Sequence, residues 1–356
     1  MAIPATMKGV QLIGHGGPDM LVWNETIPTP RPGRGEVLVR VLAAGVNNTD
    51  INTRIGWYAR DVTGGTAEVD PDAGIEAGGW AGALRFPLIQ GGDLCGEVVE
   101  LGADVVGIAV GTRVTCSINQ ADPTEDEPTR TRAIGSEFDG AFAQYCVVPA
   151  SQLHAVDRSP LSDVEVAAIP CAHGTAFNLL ARARVAAGDR VLVTGASGGV
   201  GLAAVELAKL RGAHVTALAG AAKRDAVLGA GADIVLDRGE PLAPRQFTVA
   251  IDVVGGPGWP LVIDALRPGG RYAVAGAIAG PVVSADLRTI YLNDLTLYGC
   301  TFTPREVFAE LVGLVNAGRI RPLVSRTYPL AEIARAQADF AAKLYPGKLV
   351  LVPPTD

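Results

Sequence analysis

Asp189-Arg-Val-Leu-Val-Thr-Gly-Ala-Ser-Gly-Gly-Val-Gly201 is the stretch whose reading decides the fold. An apolar run, Val191-Leu-Val193, leads into a glycine-rich turn, and Val200–Arg211 continues with a helical apolar period. A strand, a glycine turn and a helix in this order make a cradle for a dinucleotide. The pyrophosphate sits on the free N–H groups of the helix N-terminus, and glycines let the backbone come close to it. Gly198 removes a Cβ at the point of approach, and Gly201 lets the helix pack tightly on the strand. The first glycine of the usual fingerprint falls on Ala196, with Gly195 just before it. Ser197, Gly198, Gly199, Val200 and Gly201 are the expected cofactor-binding residues of this turn.

Outward from the turn, strands and helices alternate. Strand His214–Leu218, helix Lys223–Gly229, strand Ile234–Leu236, strand Phe247–Val253, helix Trp259–Leu266, strand Arg271–Ala275 and strand Leu295–Cys300 follow one another. That alternation predicts an α/β, doubly wound parallel sheet of the Rossmann type. The end of the second strand selects the cofactor. A reader of NAD places a carboxylate there for the ribose hydroxyls. This chain has Ala219-Gly220 instead, followed by Lys223 and Arg224. With no acid to repel a 2′-phosphate and two cations to attract it, NADPH is the expected cofactor, with Gly220, Lys223 and Arg224 at its adenosine end.

Before Leu161 the pattern is different. Met7–Ile13, Glu36–Ala44, Cys95–Leu101, Thr112–Cys116 and Phe142–Val148 read as short strands between Gly and Pro turns. Ser162–Ala168 reads as a Ser-capped helix, and Ala176–Arg184 as a second one after the segment Ile169–Thr175. Lys348–Val352 returns to strand. The expected division is 1–156 together with 304–356 as a β-rich domain, and 157–303 as the nucleotide-binding domain. A length of 356 residues fits two cores. Asp61 to Gly82 mixes glycines with Glu68, Asp70, Asp72 and Glu76 and reads as an acidic loop without a core of its own.

The bulk composition narrows the partners. A net charge of −7 without a Lys/Arg block gives nothing to follow a phosphate backbone, so no nucleic-acid partner is expected. No apolar run approaches a membrane span, and the N-terminus lacks the apolar region of a secretory signal. Five cysteines without paired spacing fit a reduced, cytoplasmic setting.

Several further segments carry a family resemblance. They are Ala43-Ala-Gly-Val-Asn-Asn-Thr-Asp50, Arg54-Ile-Gly-Trp-Tyr58, Gly91-Gly-Asp-Leu-Cys-Gly-Glu-Val-Val-Glu-Leu-Gly102, the glycine turn, and Tyr345-Pro-Gly-Lys-Leu-Val-Leu351. Together they resemble the medium-chain dehydrogenase/reductase superfamily, and within it the zinc-independent, quinone-oxidoreductase-like branch. The resemblance implies a GroES-like β-rich catalytic domain beside the Rossmann domain, a homodimer paired through the edge strand Leu295–Cys300, and Thr175 among the cofactor-binding residues. It also implies catalytic roles for Asn47, Arg54 and Tyr58.

Zinc members of the superfamily place a cysteine where this chain has Asn47, a histidine where it has Gly92, and a third ligand near Cys171 and His173. A catalytic zinc wants three N, S or O ligands from the protein, so no metal is expected. Cys171 reads as a small buried filler and His173 as a hydrogen-bonded loop residue. Without a Lewis acid, substrates whose charge delocalises are favoured. Quinones and α,β-unsaturated carbonyls take hydride at a conjugated carbon, and hydrogen-bond donors hold the oxygen that gains charge. Asn47 and Tyr58 are the candidate donors, while Asp50 reads as a cap for the turn Thr53-Arg-Ile55. Two rivals stand beside this reading: an alcohol or ketone dehydrogenase holding zinc through unusual ligands, and an NADPH-binding protein with little catalysis.

Overall fold

The structure is a computed structural model, and it describes residues 3–70, 78–80 and 83–355. Asp72, Gly74, Glu76 and Gly82 of the acidic stretch lie outside the described residues. The chain forms two compact units. One comprises Met1–Val62, Val69–Cys171 and Pro304–Asp356, and the other Thr63–Glu68 and Ala172–Thr303.

The second unit is built on a sheet of six strands in the spatial order Ile234–Leu236, His214–Leu218, Arg190–Val193, Phe247–Asp252, Leu266–Val274 and Thr296–Gly299. Every neighbouring pair is parallel. Parallel strands need crossovers that cover both faces, which is why Val191, Leu192 and Val193 are all fully buried and apolar rather than alternating. Helix Gly199–Leu210 is the crossover after the glycine turn, and helix Ala172–Arg182 packs against it. The latter begins four residues earlier than the sequence pattern suggested. His173 and Thr175 are therefore helical rather than in a loop.

In the first unit, strand Glu36–Val46 is the hub. It pairs antiparallel with Cys95–Leu101, with Tyr145–Pro149 and with the C-terminal strand Lys348–Val352. Val37, Val39, Leu349 and Leu351 from these strands, with Phe142, form the core. The sheet continues from Lys348–Val352 to Val324–Pro329, and from Cys95–Leu101 through Arg113–Cys116 to Leu153–Ala155. Helix Asp163–Ala167 starts at a reciprocal cap. The Ser162 hydroxyl accepts from the Glu165 N–H at 3.3 Å, and the Glu165 carboxylate accepts from the Ser162 N–H at 2.8 Å. Among the described residues no helix is long and apolar enough to cross a membrane, and none of the five cysteines is in a disulfide.

Candidate functional site

The chemistry-bearing residues of the first unit gather where Glu36–Val46 ends. Asn47 caps the helix Asn48–Arg54 in an extended conformation. Its backbone N–H donates to the Asp50 carboxylate at 2.7 Å. Asp50 thus closes the start of this helix rather than the Thr53–Ile55 turn. The Asn47 side chain is 5% exposed. Its Nδ2 donates to Asp93 Oδ2 at 2.9 Å and makes only a long 3.5 Å contact with the Gly45 carbonyl. Its Oδ1 accepts from the Lys348 ammonium at 2.5 Å. Lys348 also donates to Asp93 Oδ2 at 2.8 Å and to the Val46 carbonyl at 2.9 Å, so its three N–H bonds have three acceptors. Asp93 completes its set by accepting the Cys171 N–H on Oδ1 at 2.6 Å. Gly45 makes this cluster possible, because a Cβ there would strike the Asp93 carboxylate and the Ala167 carbonyl.

Burial acts on the carboxyl beside this cluster. Asp50 is pushed up to about 7, chiefly by desolvation and further by the Asp93 charge, while the Asn47 N–H and Lys348 pull the other way. A carboxyl raised in the folded state from its ordinary 3.8 stabilises the fold when protonated. That contribution is full below about pH 4 and is lost as pH rises through about 7. Asp50→Asn keeps the side-chain acceptor for the Asn47 N–H and removes the titration. Denaturant unfolding at pH 5 and pH 8 should show the wild type losing stability relative to Asp50→Asn by on the order of 1–4 kcal/mol. A constant difference between the two proteins would refute this.

Tyr58 follows in the same unit. Its hydroxyl lies 3.0 Å from Thr49 Oγ1, and its ring meets Trp57 and Trp80 edge-on, with centroids 5.4 and 5.5 Å away. Burial pushes the phenol up to about 12, against the pull of its hydrogen bonds to Thr49, Trp80 and Asn52. It therefore remains a donor at neutral pH. Arg54 is committed elsewhere. Its Nε donates to Gln337 Oε1 at 3.0 Å and a terminal nitrogen to the Gly16 carbonyl at 2.6 Å, which ties the helix to the C-terminal segment. Asn47 and Tyr58 thus stand at the two ends of the helix Asn48–Arg54, before it and after it, while the Arg54 head turns to structural partners.

The zinc positions can be tested against this geometry, and they do not fit. A side chain on Gly92 would collide with the Ile118 side chain, so the space a histidine would need is filled with hydrocarbon. The centre of the cluster holds an ammonium. Among the described residues no group of three His, Cys, Asp or Glu could hold a metal ion. Cys171 is partly exposed rather than a buried filler. His173 bonds to Glu206 at 3.1 Å, from one helix of the second unit to another.

The second unit's residues form a cradle. Gly195 takes a left-handed φ of +57°, so it, and not Ala196, makes the tight turn that the fingerprint's first glycine makes. Gly198 caps the helix, a Cβ there would meet only the Gly195 carbonyl in ordinary contact, and Gly199 and Val200 open the first turn. A Cβ on Gly201 would meet the Gly195 carbonyl and Ala196 Cα, so the helix approaches the turn closer than any side chain permits. Ser197 is buried in the same turn. Gly220 also faces open space. Lys223 and Arg224 end a 3₁₀ turn and begin a short helix. The Lys223 ammonium is held below its usual range by partial burial and by the charge of Arg238. Arg238 escaped the sequence reading because it follows the next strand, Ile234–Leu236. So did Asp237, whose carboxylate accepts the Ala221 N–H at 3.2 Å.

The sequence matches the Alcohol dehydrogenase GroES-like domain over residues 33–158 and the Zinc-binding dehydrogenase family over residues 199–317. A crystal structure from Sinorhizobium meliloti, described as that of an alcohol dehydrogenase, shares 42% identity with a TM-score of 0.88, covering 99% of this chain and 98% of the other. The acryloyl-coenzyme A reductase of Metallosphaera sedula is 29% identical over 97% of this chain and 99% of its own. A 2-octenoyl-CoA carboxylase reductase, solved with NADP and 2-octenoyl-CoA, shares 26% identity with a TM-score of 0.84, over 99% of this chain and 88% of that one. Quinone oxidoreductases and NAD-dependent alcohol dehydrogenases are also among the relatives. The chain belongs to the medium-chain dehydrogenase/reductase superfamily, a family of oxidoreductases that use nicotinamide cofactors.

Proposed function

We propose that this protein uses NADPH to reduce quinones or α,β-unsaturated carbonyl compounds, and that it does so without zinc. The observation that carries the reading is the Lys348–Asn47–Asp93 cluster, together with the Ile118 side chain packed against Gly92, where zinc enzymes keep their ligands. The unit containing Asn47 and Tyr58 would be the catalytic domain and the parallel-sheet unit the NADPH-binding domain. Bound NADPH supplies the hydride. Asn47 Nδ2 and the Tyr58 hydroxyl are the donors for the carbonyl oxygen that gains charge. The relatives that act on acryloyl- and octenoyl-thioesters support a conjugated carbonyl as the substrate. Direct assay of NADPH oxidation across quinones, enals, enones and enoyl thioesters, with and without exhaustive chelation, tests the proposal. Chelator-insensitive turnover of one of these classes is expected. Activity confined to alcohols or ketones and restored by added zinc would overturn it.

The choice of NADPH rests on this chain's own cations, since relatives include NAD-dependent enzymes. Lys223, Arg224 and Arg238 would face the 2′-phosphate, and Ser197 to Gly201, Gly220 and Thr175 would hold the rest. Alanine at both Lys223 and Arg224 should weaken NADPH by roughly 1.5–3 kcal/mol per lost contact, less where exposed, and leave NADH nearly unchanged. Fluorescence titration with both cofactors reads the difference, and equal losses would rule out 2′-phosphate recognition.

A homodimer is part of the same proposal. Strand Thr296–Gly299 ends the six-stranded sheet and, among the described residues, pairs on one side only. The helix before it exposes Leu287 and Tyr291 at 68% and 62%. An open edge beside apolar side chains is a liability that pairing with a second copy removes. Light scattering should give twice the chain mass at micromolar concentration; a monomer mass would remove the dimer. Five free thiols fit the reducing cytoplasm as its setting.

A further inference from the structure

We propose that Lys348 is a positioning residue: with Asp93 it sorts the two ends of the Asn47 side-chain amide, leaving one N–H of that amide for the substrate oxygen. The inference rests on the proposed role of Asn47 as a donor and goes beyond it to say what sets that donor's direction.

An asparagine amide has an acceptor end and a donor end of nearly the same shape, so its neighbours decide which way it points. Lys348 is 3% exposed, and its ammonium can only donate. Asp93 is fully buried, and its carboxylate accepts at Oδ2 from both Lys348 and Asn47. The observed orientation places Asn47 Oδ1 against Lys348 and Nδ2 against Asp93. The flipped amide would set NH₂ against NH₃⁺ and a carbonyl against a carboxylate, two repulsions in a water-free place. Lys348 is itself fixed by the Val46 carbonyl at 2.9 Å and by the strand register that sets Leu349 opposite Val46. One Nδ2 hydrogen is spent on Asp93. The other has only Gly45 O at 3.5 Å, too long for a good hydrogen bond. That hydrogen remains to be used.

The test is a double-mutant cycle on enone turnover, with melting temperature and NADPH affinity measured beside it. Lys348→Met removes the ammonium at similar length, Asn47→Ala removes the amide, and Lys348→Arg restores a group that only donates. Lys348→Met should lower kcat by about 10–100-fold with KM changed little, since a misdirected donor fails in the transition state. The double variant should turn over within about threefold of Asn47→Ala, because Lys348 acts through Asn47. Lys348→Arg should recover part of the lost kcat. Losses that multiply, or a Lys348→Met protein that melts lower yet keeps its kcat, would overturn the proposal. If Asn47→Ala keeps full turnover, the donor reading itself fails and the positioning claim falls with it.

A second measurement needs no variant at Lys348. In the wild-type protein labelled with ¹⁵N-asparagine, the Asn47 side-chain resonances, identified by their loss in Asn47→Ala, should exchange slowly with water. On binding a non-reducible enone analogue, one of the two protons should shift. Exchange at the rate of exposed asparagines would overturn the fixed-amide claim, and two protons that ignore a bound analogue would overturn the donor reading. The exchange rate decides the fixed-amide claim even if the wild type oxidises NADPH with none of the proposed substrate classes.

Discussion

Asn47→Ala should cut turnover of the best conjugated substrate by about 10²–10³, the usual cost of losing a donor that works on developing negative charge. The substitution also takes an acceptor from Lys348 and a donor from Asp93, so a lower melting temperature should accompany it. Those two lost bonds are worth about 1–3 kcal/mol each to stability. They do not touch kcat measured well below the melting transition, which separates the two effects. Tyr58→Phe is the companion variant. Its hydroxyl, pushed up to about 12, stays protonated across the working range, so its removal should lower kcat without moving the pH profile. Unchanged kcat for both variants, at unchanged NADPH affinity, would show that neither residue holds the reacting oxygen.

The largest loss of stability should come from Asp93→Ala. Asp93 is fully buried and is the carboxylate in contact with an ammonium that is itself almost completely buried. Removing one member of such a pair strands the other's charge, at a cost of about 3–5 kcal/mol. The Cys171 N–H and one Asn47 N–H lose their acceptor as well. Calorimetry should show melting lowered on the order of 10 °C, by the usual scaling for domains of this size. Adding Lys348→Met to Asp93→Ala should restore a substantial part of that loss, since the stranded charge then disappears. A double variant no more stable than Asp93→Ala would mean that the pair contributes packing rather than charge compensation.

The two halves of the candidate machinery were unequally legible in the sequence. The cofactor cradle is local: strand, turn and helix lie within about twenty residues, and each glycine has a steric reason visible in the spacing. Even there the sequence left open whether Gly195 or Ala196 makes the tight turn, and only the φ of +57° at Gly195 answers it. Arg238 was missed because it reaches Lys223 across two adjacent parallel strands, and no local period encodes that neighbour. The Asn47 cluster is the extreme case. Lys348 lies 301 residues from Asn47 and 255 from Asp93 along the chain. It reads in sequence as the polar start of an apolar strand. Strand Leu21–Pro28 escaped for another reason: most of it is half-buried or exposed, so no apolar alternation marks it. The pair Asn119–Ala121 and Thr131–Ala133 is too short to show a period at all.

Ile118 against the Gly92 backbone ties two distant positions of the chain together. A larger side chain at position 92 cannot be admitted without a change at position 118. A histidine at position 92 needs the end of the Ile118 side chain to swing aside, and cutting back Ile118 alone opens a void in the core. A cysteine at position 47 would take away the amide that joins Lys348 to Asp93. Packing thus couples positions 92 and 118, so that neither is free to change by itself.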